Sequence, residues 1–524
     1  MTIDAAARAR PRDWIGLGVL CLATLMVAFD TFVLLLAFPH LSAQLGADGV
    51  QQLWIADIYG FTLGGFLITM GSLGDRIGRR RLLLAGAACF GLAELASAWA
   101  TSPGMLIAAR ALLGIAGAAL APSILGLIRS MFREPRQLGV AIGAWASCFT
   151  LGAIVGLLGG GVLLERYWWG SAFLLGVPLL VLLLVVGPMV LPEHRDPEAH
   201  QPDWPSSLLS LAAILTVVYG VKELARYGWR VVPLLAIGVG VASAVVFVRR
   251  QRQLPRPMLD LRLFRNRRFT VPLIALLLQS SLTGAVLLFI TQHFQIVNGL
   301  SPWQAGLALA PGMLLSALFT PVAAVLAQRV RPAILIAAGE TIVVVGLVLV
   351  MLTRFVPGPE LLIVGFAVWA IGGTPLLAVG MAMIIGSAPA EGAGSASAMP
   401  QISNEMGNAV GVATVGSLGV AFYHAQVSGA LPDSVPADVA QVAAQSIAGA
   451  VGAASQLPPE LAAAVLGPAG QAFTASLALI AGVAAVGVVG IIGLFVSRLR
   501  AVRPVGQEAP ATADEPARVS ERAG

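Results

Sequence analysis

The chain is poor in charged residues and almost without lysine. Asp, Glu, Lys and Arg make up 11% of the 524 residues, whereas hydrophobic residues make up 57%. Because soluble domains carry about a quarter charged residues, this composition excludes an ordinary soluble protein and indicates many membrane spans. The single lysine, Lys222, precedes Glu223, and a phosphate-binding loop needs a lysine followed by serine or threonine. The sequence therefore excludes an ATP-driven pump within this chain, and we expect an ion gradient to supply the energy.

Cysteine is equally scarce. Cys21, Cys89 and Cys148 lie in separate apolar runs without paired spacing, which argues against a disulfide framework and against a metal site. We expect the protein to need no metal and no cofactor. We also expect no cleavable signal peptide, because the basic N-terminal residues lead directly into an apolar run of spanning length.

Fourteen apolar stretches are long enough to cross about 30 Å of hydrocarbon, the thickness of a bilayer core. They lie near residues 15–38, 51–72, 82–101, 105–129, 138–164, 169–191, 206–224, 231–249, 270–292, 303–328, 332–352, 361–386, 398–423 and 470–497. With the N-terminus in the cytoplasm, most basic residues fall in cytoplasmic links, as the positive-inside rule requires. The isoelectric point near 9.8 therefore reflects topology, and we predict no nucleic-acid partner. The predicted fold class is all-α, a polytopic membrane protein with both termini cytoplasmic.

The spans divide into two sets of six with an inserted pair between them. The predicted regions are a cytoplasmic tail at 1–14, a six-helix bundle at 15–191, two inserted helices at 206–249, a six-helix bundle at 270–497 and a disordered cytoplasmic tail at 498–524. A weak internal repeat supports this division, because residues 71–86 align without gaps on residues 324–339, as duplicated transporter halves do.

Residues 424–469, inside the second bundle, are polar and interrupted by Pro458 and Pro459. A polar segment broken by proline does not span a membrane. We therefore predict an external loop here, with two short helices near the membrane surface.

A short, highly charged link joins the second and third spans. Its characteristic residues are Gly71, Gly74, Asp75, Arg76, Gly78 and Arg79. The charges cannot lie in hydrocarbon, and the glycines allow a tight turn and a close approach of two helix ends. This pattern resembles the loop between spans 2 and 3 of the major facilitator superfamily. Fourteen spans with a central pair resemble the drug:proton antiporter branch of that superfamily, which implies its fold and a transporter rather than an enzyme.

The resemblance also implies a role for this charged link as a gate. In the outward-open state, Asp75 is expected near the N-terminus of span 11, where the positive helix end favours a carboxylate. Arg76 and Arg79 are expected to pair with acids of the other half, forming a cytoplasmic latch.

Two charged residues in spans 1 and 4 are candidates for proton coupling. The run Phe29-Asp30-Thr31 resembles the family's first-span motif, and Arg110 lies in a run that resembles its second motif. An acid at membrane depth is buried, paired or functional, and a buried guanidinium needs an acceptor. We expect Arg110 to pair with Asp30 or with backbone carbonyls of span 1. The alternatives are a purely structural carboxyl and an arginine that only ties the two spans together.

The second span carries a candidate substrate site. Trp54 and Asp57 share one face of the helix by their spacing, with Tyr59 close by. An aromatic ring beside an anion suits an organic cation, and this run resembles that of quaternary-ammonium and dye efflux pumps. We assign Asp57, Trp54, Tyr59 and Phe29 to substrate binding. The alternative for Asp57 is a solvated acid near the external end of the span.

The fifth span resembles the family's antiporter motif but departs from it. Its glycines are Gly152, Gly156, Gly160 and Gly161, and Leu157 stands where the family has proline. We expect the glycines to allow close packing against the other half. Because the proline kink is missing, we expect the seal between the halves and the coupling of drug to proton to differ from those of the family.

In the second half, Glu405 lies where related pumps carry an acid, and we assign it to cation binding and secondary coupling. Pro400, Gln401 and Ser316 stand where some relatives have further acids. This less anionic cavity favours monovalent or neutral lipophilic substrates. Glu94 and Glu340 have no counterpart that we can assign in the family. For each, a structural role in helix packing and a role in proton binding are equally compatible with the sequence.

Together these features predict a proton-coupled multidrug efflux transporter of the bacterial inner membrane. Its expected partners are protons, the lipid bilayer and lipophilic, mainly cationic compounds such as quaternary ammonium ions, dyes and antibiotics. The resemblance implies a monomer driven by the proton motive force. Two alternatives stay open: a dedicated exporter of a lipid or natural product, and a membrane scaffold or sensor that transports nothing.

Overall fold

A computed structural model describes residues 9–132, 134–193, 195, 203–227, 230–254, 257, 261–387, 393–432 and 434–499. Every regular element in these ranges is helical. The first half consists of α1 (Pro11–Leu45), α2 (Gly49–Ile77), α3 (Arg79–Ala98), α4 (Pro103–Met131), α5 (Pro135–Arg166), the short α6 (Ser171–Leu174) and α7 (Val177–Val190). The inserted pair is α8 (Trp204–Tyr227) and α9 (Val231–Gln253).

The second half follows the inserted pair. It contains a short 3₁₀ turn (Leu263–Arg265), α10 (Arg267–Gln292), α11 (Pro302–Leu326), α12 (Pro332–Leu352), α13 (Glu360–Gly372), α14 (Met381–Gly386), α15 (Ala393–Gly411), α16 (Ser417–Ala430), α17 (Ala437–Gln445), α18 (Ile447–Ala454) and α19 (Pro459–Leu499). Three π-helical turns, His293–Val297, Leu376–Gly380 and Val412–Gly416, extend α10, join α13 to α14 and join α15 to α16.

The predicted all-α, multi-pass architecture is confirmed. In the described part of the chain, thirteen helical runs are long and apolar enough to cross a membrane. The apolar part of α8, Trp204–Gly220, is shorter, and it accounts for the fourteenth predicted span. The segment predicted as a loop at 424–469 is shorter in the structure, because α16 continues to Ala430 and α19 already begins at Pro459. The two short helices between them are α17 and α18.

The two ends of the bundle differ in charge. Arg80 of α3 donates to carbonyls at the end of α7, and Arg250 of α9 pairs with Asp203 before α8 at 2.9 Å. We call this end of the bundle the basic end. The other end, where the chain passes from α1 to α2, is called the opposite end. Partial burial alone would raise the pKa of Asp203. Hydrogen bonds from Ser206 and Arg250 outweigh this effect and hold that pKa below its usual value.

Each half is built on one pair of closely packed helices. On α5, a Cβ placed on Gly156 would lie 2.9 Å from the Phe29 carbonyl oxygen of α1. On α15, a Cβ on Gly407 would lie 2.9 Å from the Ser280 side chain of α10. Glycine at these positions lets the backbones approach, as small residues do in membrane helix pairs. The pairs α1–α5 and α10–α15 hold corresponding places in the two halves.

The halves meet along two seams. In the first, α5 packs on α11, where a Cβ on Gly161 would lie 2.6 Å from Trp303 and one on Gly306 would lie 2.5 Å from the Leu157 carbonyl oxygen. In the second, α2 packs on α15, with Gly64 against Met406.

The packing of the antiporter-motif glycines differs from the expectation that they pack against the other half. Gly152, Gly156 and Gly160 face α1 of their own half, whereas Gly161 reaches the other half. The reason is helical spacing: residues four apart form one row along α5, and that row is the one buried against α1.

The halves also approach each other at the opposite end. There, a Cβ on Gly49 of α2 would lie 2.9 Å from the Gln445 carbonyl oxygen of α17. Within the second half, Tyr423 of α16 donates to the Ala443 carbonyl oxygen at 3.0 Å, and Phe289 of α10 stacks on Phe473 of α19 with ring centroids 5.0 Å apart. A cavity of about 730 Å³ lies between the start of α2 and the helices α16 and α17.

Prediction from the α1–α5 packing: Gly152→Ala lowers the thermal unfolding midpoint of the purified protein in detergent. The added methyl overlaps the α1 backbone at Leu25, and overpacking of this kind costs about 1–3 kcal/mol. Gly143→Ala is the matched control on the same helix, because a Cβ there meets nothing within 4 Å. Equal midpoints for the two variants would contradict the packing described for α1 and α5.

Candidate functional site

A buried ion pair lies at the centre of the first half. The Arg110 guanidinium of α4 donates from Nη1 to Asp30 Oδ2 of α1 at 2.8 Å. Asp30 is 1% exposed and Arg110 is 2% exposed, so both charges are withdrawn from water and from lipid. Asp30 is the partner expected for Arg110 from the sequence. A guanidinium and a carboxylate in such surroundings depend on each other, because either charge alone would be strongly unfavourable.

Tyr59 of α2 belongs to this ion pair. Its ring centroid lies 4.9 Å from Arg110 Cζ, a cation–π geometry. The approach is possible because α4 carries Gly114, where a Cβ would lie 3.1 Å from the Leu63 nitrogen and would also overlap Thr62. The sequence assigns Tyr59 to substrate binding, and that role stays a prediction. In the structure, its side chain points from α2 toward α4 and lies against Arg110.

Glu94 of α3 completes a cluster with Asp30, Tyr59 and Arg110. It is 1% exposed and interacts electrostatically with both Asp30 and Arg110. The sequence shows only an acid in an apolar span, with no partner that spacing can identify. Its location is decided by the packing of α3 on α4, a contact between helices that single-sequence reasoning does not supply.

Several polar atoms of the cluster are unsatisfied. Among the residues that the structure describes, Asp30 Oδ1, Tyr59 Oη, Glu94 Oε2 and Arg110 Nε have no hydrogen-bond partner. Buried polar groups are ordinarily paired, so four such atoms in one place require an explanation. The cluster therefore has donors and acceptors in reserve for a second hydrogen-bonding arrangement.

Glu405 and Asp57 lie along the α2–α15 seam. Gln401 Nε2 donates to Glu405 Oε1 at 2.8 Å, and a Cβ on Gly60 of α2 would lie 3.8 Å from Glu405 Oε2. Asp57 precedes Gly60 by one turn on the same helix and is 2% exposed. Glu405 is only half-buried. Tyr59 directly precedes Gly60, where a Cβ would contact Glu405, so α2 connects the seam to the cluster.

The other two predicted substrate residues lie elsewhere. Trp54 is half-buried and packs against the apolar cluster of Phe61, Ala409 and Ala413, where α8 covers the α2–α15 seam. Phe29 is 3% exposed and belongs to the hydrophobic core at the α1–α5 contact. The structure therefore does not bring Phe29 to Asp57, because its ring follows the packed face of α1.

The charged link between α2 and α3 is held within its own half. Arg79 Nε donates to Asp75 Oδ1 at 2.8 Å, and the Arg79 side chain occupies the space beside Gly126 of α4. Gly78 turns the chain with φ +112°, and the neighbouring Glu193 carboxylate accepts from the Arg80 backbone nitrogen at 3.2 Å. Gly74 contacts Leu82, Gly71 contacts Pro122 and Arg76 is exposed. The latch expected for the outward-open state stays a prediction.

Glu340 of α12 remains unassigned. It is fully buried, and in the described ranges neither of its carboxyl oxygens has a hydrogen-bond partner. It lies in the second half, on a helix that packs against α13 and α19.

The fold and the charged link can now be compared with known proteins. A family model for the Major Facilitator Superfamily matches residues 20–412. The chain belongs to the Major Facilitator Superfamily. It is 39% identical over 475 residues to the multidrug efflux pump LfrA of Mycolicibacterium smegmatis, covering 90% of this chain and 94% of LfrA.

Two further similarities extend over nearly the whole chain of this superfamily member. It is 33% identical over 464 residues to the methyl viologen resistance protein SmvA of Salmonella typhimurium, covering 88% of this chain and 93% of SmvA. Among solved structures, it resembles a bacterial homologue of the human lysosomal transporter Spinster. That similarity has a TM-score of 0.67 at 15% identity and covers 94% of this chain and all of the other.

Prediction from the buried ion pair: Arg110→Gln lowers the thermal unfolding midpoint markedly, and the double variant Asp30→Asn/Arg110→Gln loses far less. Removing Arg110 alone leaves a buried carboxylate that costs about 3–5 kcal/mol, and removing both partners leaves no charge unpaired. The control is Arg354→Gln, which removes an exposed arginine. A double variant no more stable than Arg110→Gln would show that the two side chains do not stabilise each other.

Proposed function

We propose that this membrane protein is a proton-coupled multidrug efflux transporter of a bacterial inner membrane that exports lipophilic, mainly cationic compounds. The supporting observation is the placement of three acids, Asp30, Asp57 and Glu405, at the packed centre of the first half and along the seam between the halves. Drug efflux also agrees with the relatives. LfrA is named as a multidrug efflux pump, and SmvA is named for resistance to methyl viologen, an aromatic dication.

The α2–α15 seam is the proposed binding site for the cation. Asp57 and Glu405 contribute two carboxyl groups from opposite halves, in surroundings of low dielectric where charge attraction is stronger than in water. The neighbouring apolar surface includes Trp54 and the cluster that α8 covers. A cation with a greasy body fits both features, since its charge meets the acids and its apolar part meets the seam.

Asp30 is the proposed coupling acid. In the structure it accepts a hydrogen bond from Arg110. A proton on Asp30 weakens this ion pair, and the positive charge of a ligand in the seam disfavours that proton by charge repulsion. Proton and drug thereby bind in competition. We propose no cofactor, with the proton motive force as the energy source.

Alternating access would use the two seams as hinges between the halves. We propose that the basic end is cytoplasmic, as the positive-inside rule favours. Proton or drug binding at the centre then shifts the balance between an inward-open and an outward-open state. In the latter state, Asp75 and Arg79 would form the cytoplasmic latch predicted above. We propose that a single chain carries out this cycle.

Prediction from the proposed function: the protein expels ethidium from energised cells, and Asp30→Asn abolishes this efflux in folded protein. Asp57→Asn instead raises the ethidium concentration needed for half-maximal transport by about tenfold, because it removes one attraction to the cation worth about 1.4 kcal/mol. A neutral lipophilic drug should be little affected by Asp57→Asn. The control is Asp438→Asn, which removes an exposed acid on α17.

Comparison of substrates separates the proposal from its rivals. Ethidium is monovalent and methyl viologen divalent, so stronger transport of ethidium would agree with the small number of acids in the seam. Efflux that is unchanged by expression of the protein in energised cells, for every cation and neutral drug, would contradict multidrug export. Transport restricted to one lipid or natural product would favour a dedicated exporter instead.

A further inference from the structure

Glu94 is a buried acid that the proposed transport cycle does not use. Its carboxyl group is 1% exposed, and Oε2 has no hydrogen-bond partner among the described residues. An unpaired acid at this depth in a membrane bundle is costly unless it carries a proton or serves another state of the protein.

Two contacts locate the Glu94 carboxyl beside the ion pair. A Cβ on Gly176, between α6 and α7, would lie 3.9 Å from Glu94 Oε1 and 2.8 Å from Met26 of α1. Met26 precedes Asp30 by one turn. On the other side, a Cβ on Gly117 of α4 would lie 3.2 Å from Tyr59 Oη and 3.6 Å from the ring of Phe90, one turn before Glu94. Glu94 therefore lies between the helices that carry Asp30, Tyr59 and Arg110.

The titratable groups facing Glu94 can be given helix by helix. Asp30 comes from α1, the neutral Tyr59 from α2 and Arg110 from α4, while α6 and α7 contain no charged residue. Two carboxyl groups thus share one guanidinium, and like charges confined together favour a proton on one of the two acids.

We propose that Glu94 is a second proton-binding carboxyl, which takes over Arg110 when a proton arrives at Asp30. This inference rests on the proposed function. In the structure, Arg110 pairs with Asp30 and Glu94 holds the proton. In the alternative arrangement, Asp30 has taken up a proton from one side of the membrane, Glu94 has released its proton to the other side, and the guanidinium has moved to the Glu94 carboxylate. The number of protons and the net charge of the cluster are the same in both arrangements.

The exchange keeps Arg110 paired when Asp30 is protonated, which Asp30 alone does not achieve. Protonating Asp30 without another anion nearby would leave a buried guanidinium unpaired, a strongly unfavourable state. Glu94 supplies that anion. The unsatisfied atoms also fit the exchange, because Arg110 Nε is a free donor and Glu94 Oε2 a free acceptor in the described structure. Tyr59 Oη has no partner either and can assist by donating to whichever carboxylate is ionised.

Glu94→Gln tests the proposal in proteoliposomes by separating two activities. Without a second anion, Arg110 stays on Asp30, so ethidium transport driven by a proton gradient should fall by about tenfold or more, equivalent to at least about 1.4 kcal/mol. Exchange of ethidium for ethidium needs no proton and should stay close to wild type. Glu94→Asp keeps the charge and should restore part of the driven transport, which loss of packing alone would not explain.

The outcomes distinguish this inference from the proposed function. Wild-type protein without proton-driven transport would overturn both. Coupled wild-type protein together with an equally coupled Glu94→Gln variant would overturn the role of Glu94 alone. Loss of driven transport and exchange together would also overturn it, because Glu94 would then serve binding or structure.

A measurement on wild-type protein avoids any dependence on how the variants fold. A hydrophobic carbodiimide reacts with buried carboxyl groups that carry a proton. In drug-free protein at neutral pH, mass spectrometry should find the adduct on Glu94 and not on Asp30. An adduct on Asp30 with none on Glu94 would overturn the proposed distribution of the proton.

Discussion

The ion pair between Asp30 and Arg110 is the interaction on which the rest of the structure depends. Two opposite charges buried inside a membrane bundle are tolerated only when each compensates the other. This requirement holds α1 against α4, and Gly114 lets α2 approach until Tyr59 lies against the guanidinium. A proton that binds here disturbs contacts between three helices. In the proposed cycle, protonation of one carboxyl group thereby alters the packing of the whole first half.

The arrangement of helices turns that local event into a movement between halves. Each half has one rigid pair, α1–α5 or α10–α15, whose backbones approach closely through glycine. The halves meet at two separate seams, and packed interfaces of this type shift between discrete arrangements rather than deform gradually. Glu405 lies in one seam beside Gly60, the residue that follows Tyr59. The proposed site for a cation and the proposed site for a proton are thus joined through α2.

The sequence predicts most of the fold and part of the site. Apolar length and the distribution of arginine give the spans, and motif resemblance gives Asp30, Arg110 and the charged link. The packed partner of a side chain is harder to predict, because it depends on how distant helices meet. Tyr59 and Glu94 show this: the sequence predicts neither the contact of Tyr59 with Arg110 nor a neighbour for Glu94. The glycines of α5 show it too, since the sequence reveals close packing without revealing which helix is packed.

The central claim is that a drug cation and a proton bind in competition, and proton release from the purified protein measures this most directly. Ethidium added to the wild-type protein in weakly buffered detergent solution should release protons, and saturation of release should follow saturation of binding. The Asp30→Asn variant should bind ethidium with little or no release, because Arg110 then pairs with an ionised Glu94 and no proton is left to displace. Tight binding of ethidium to the wild-type protein across the neutral pH range, without any proton released, would contradict the account.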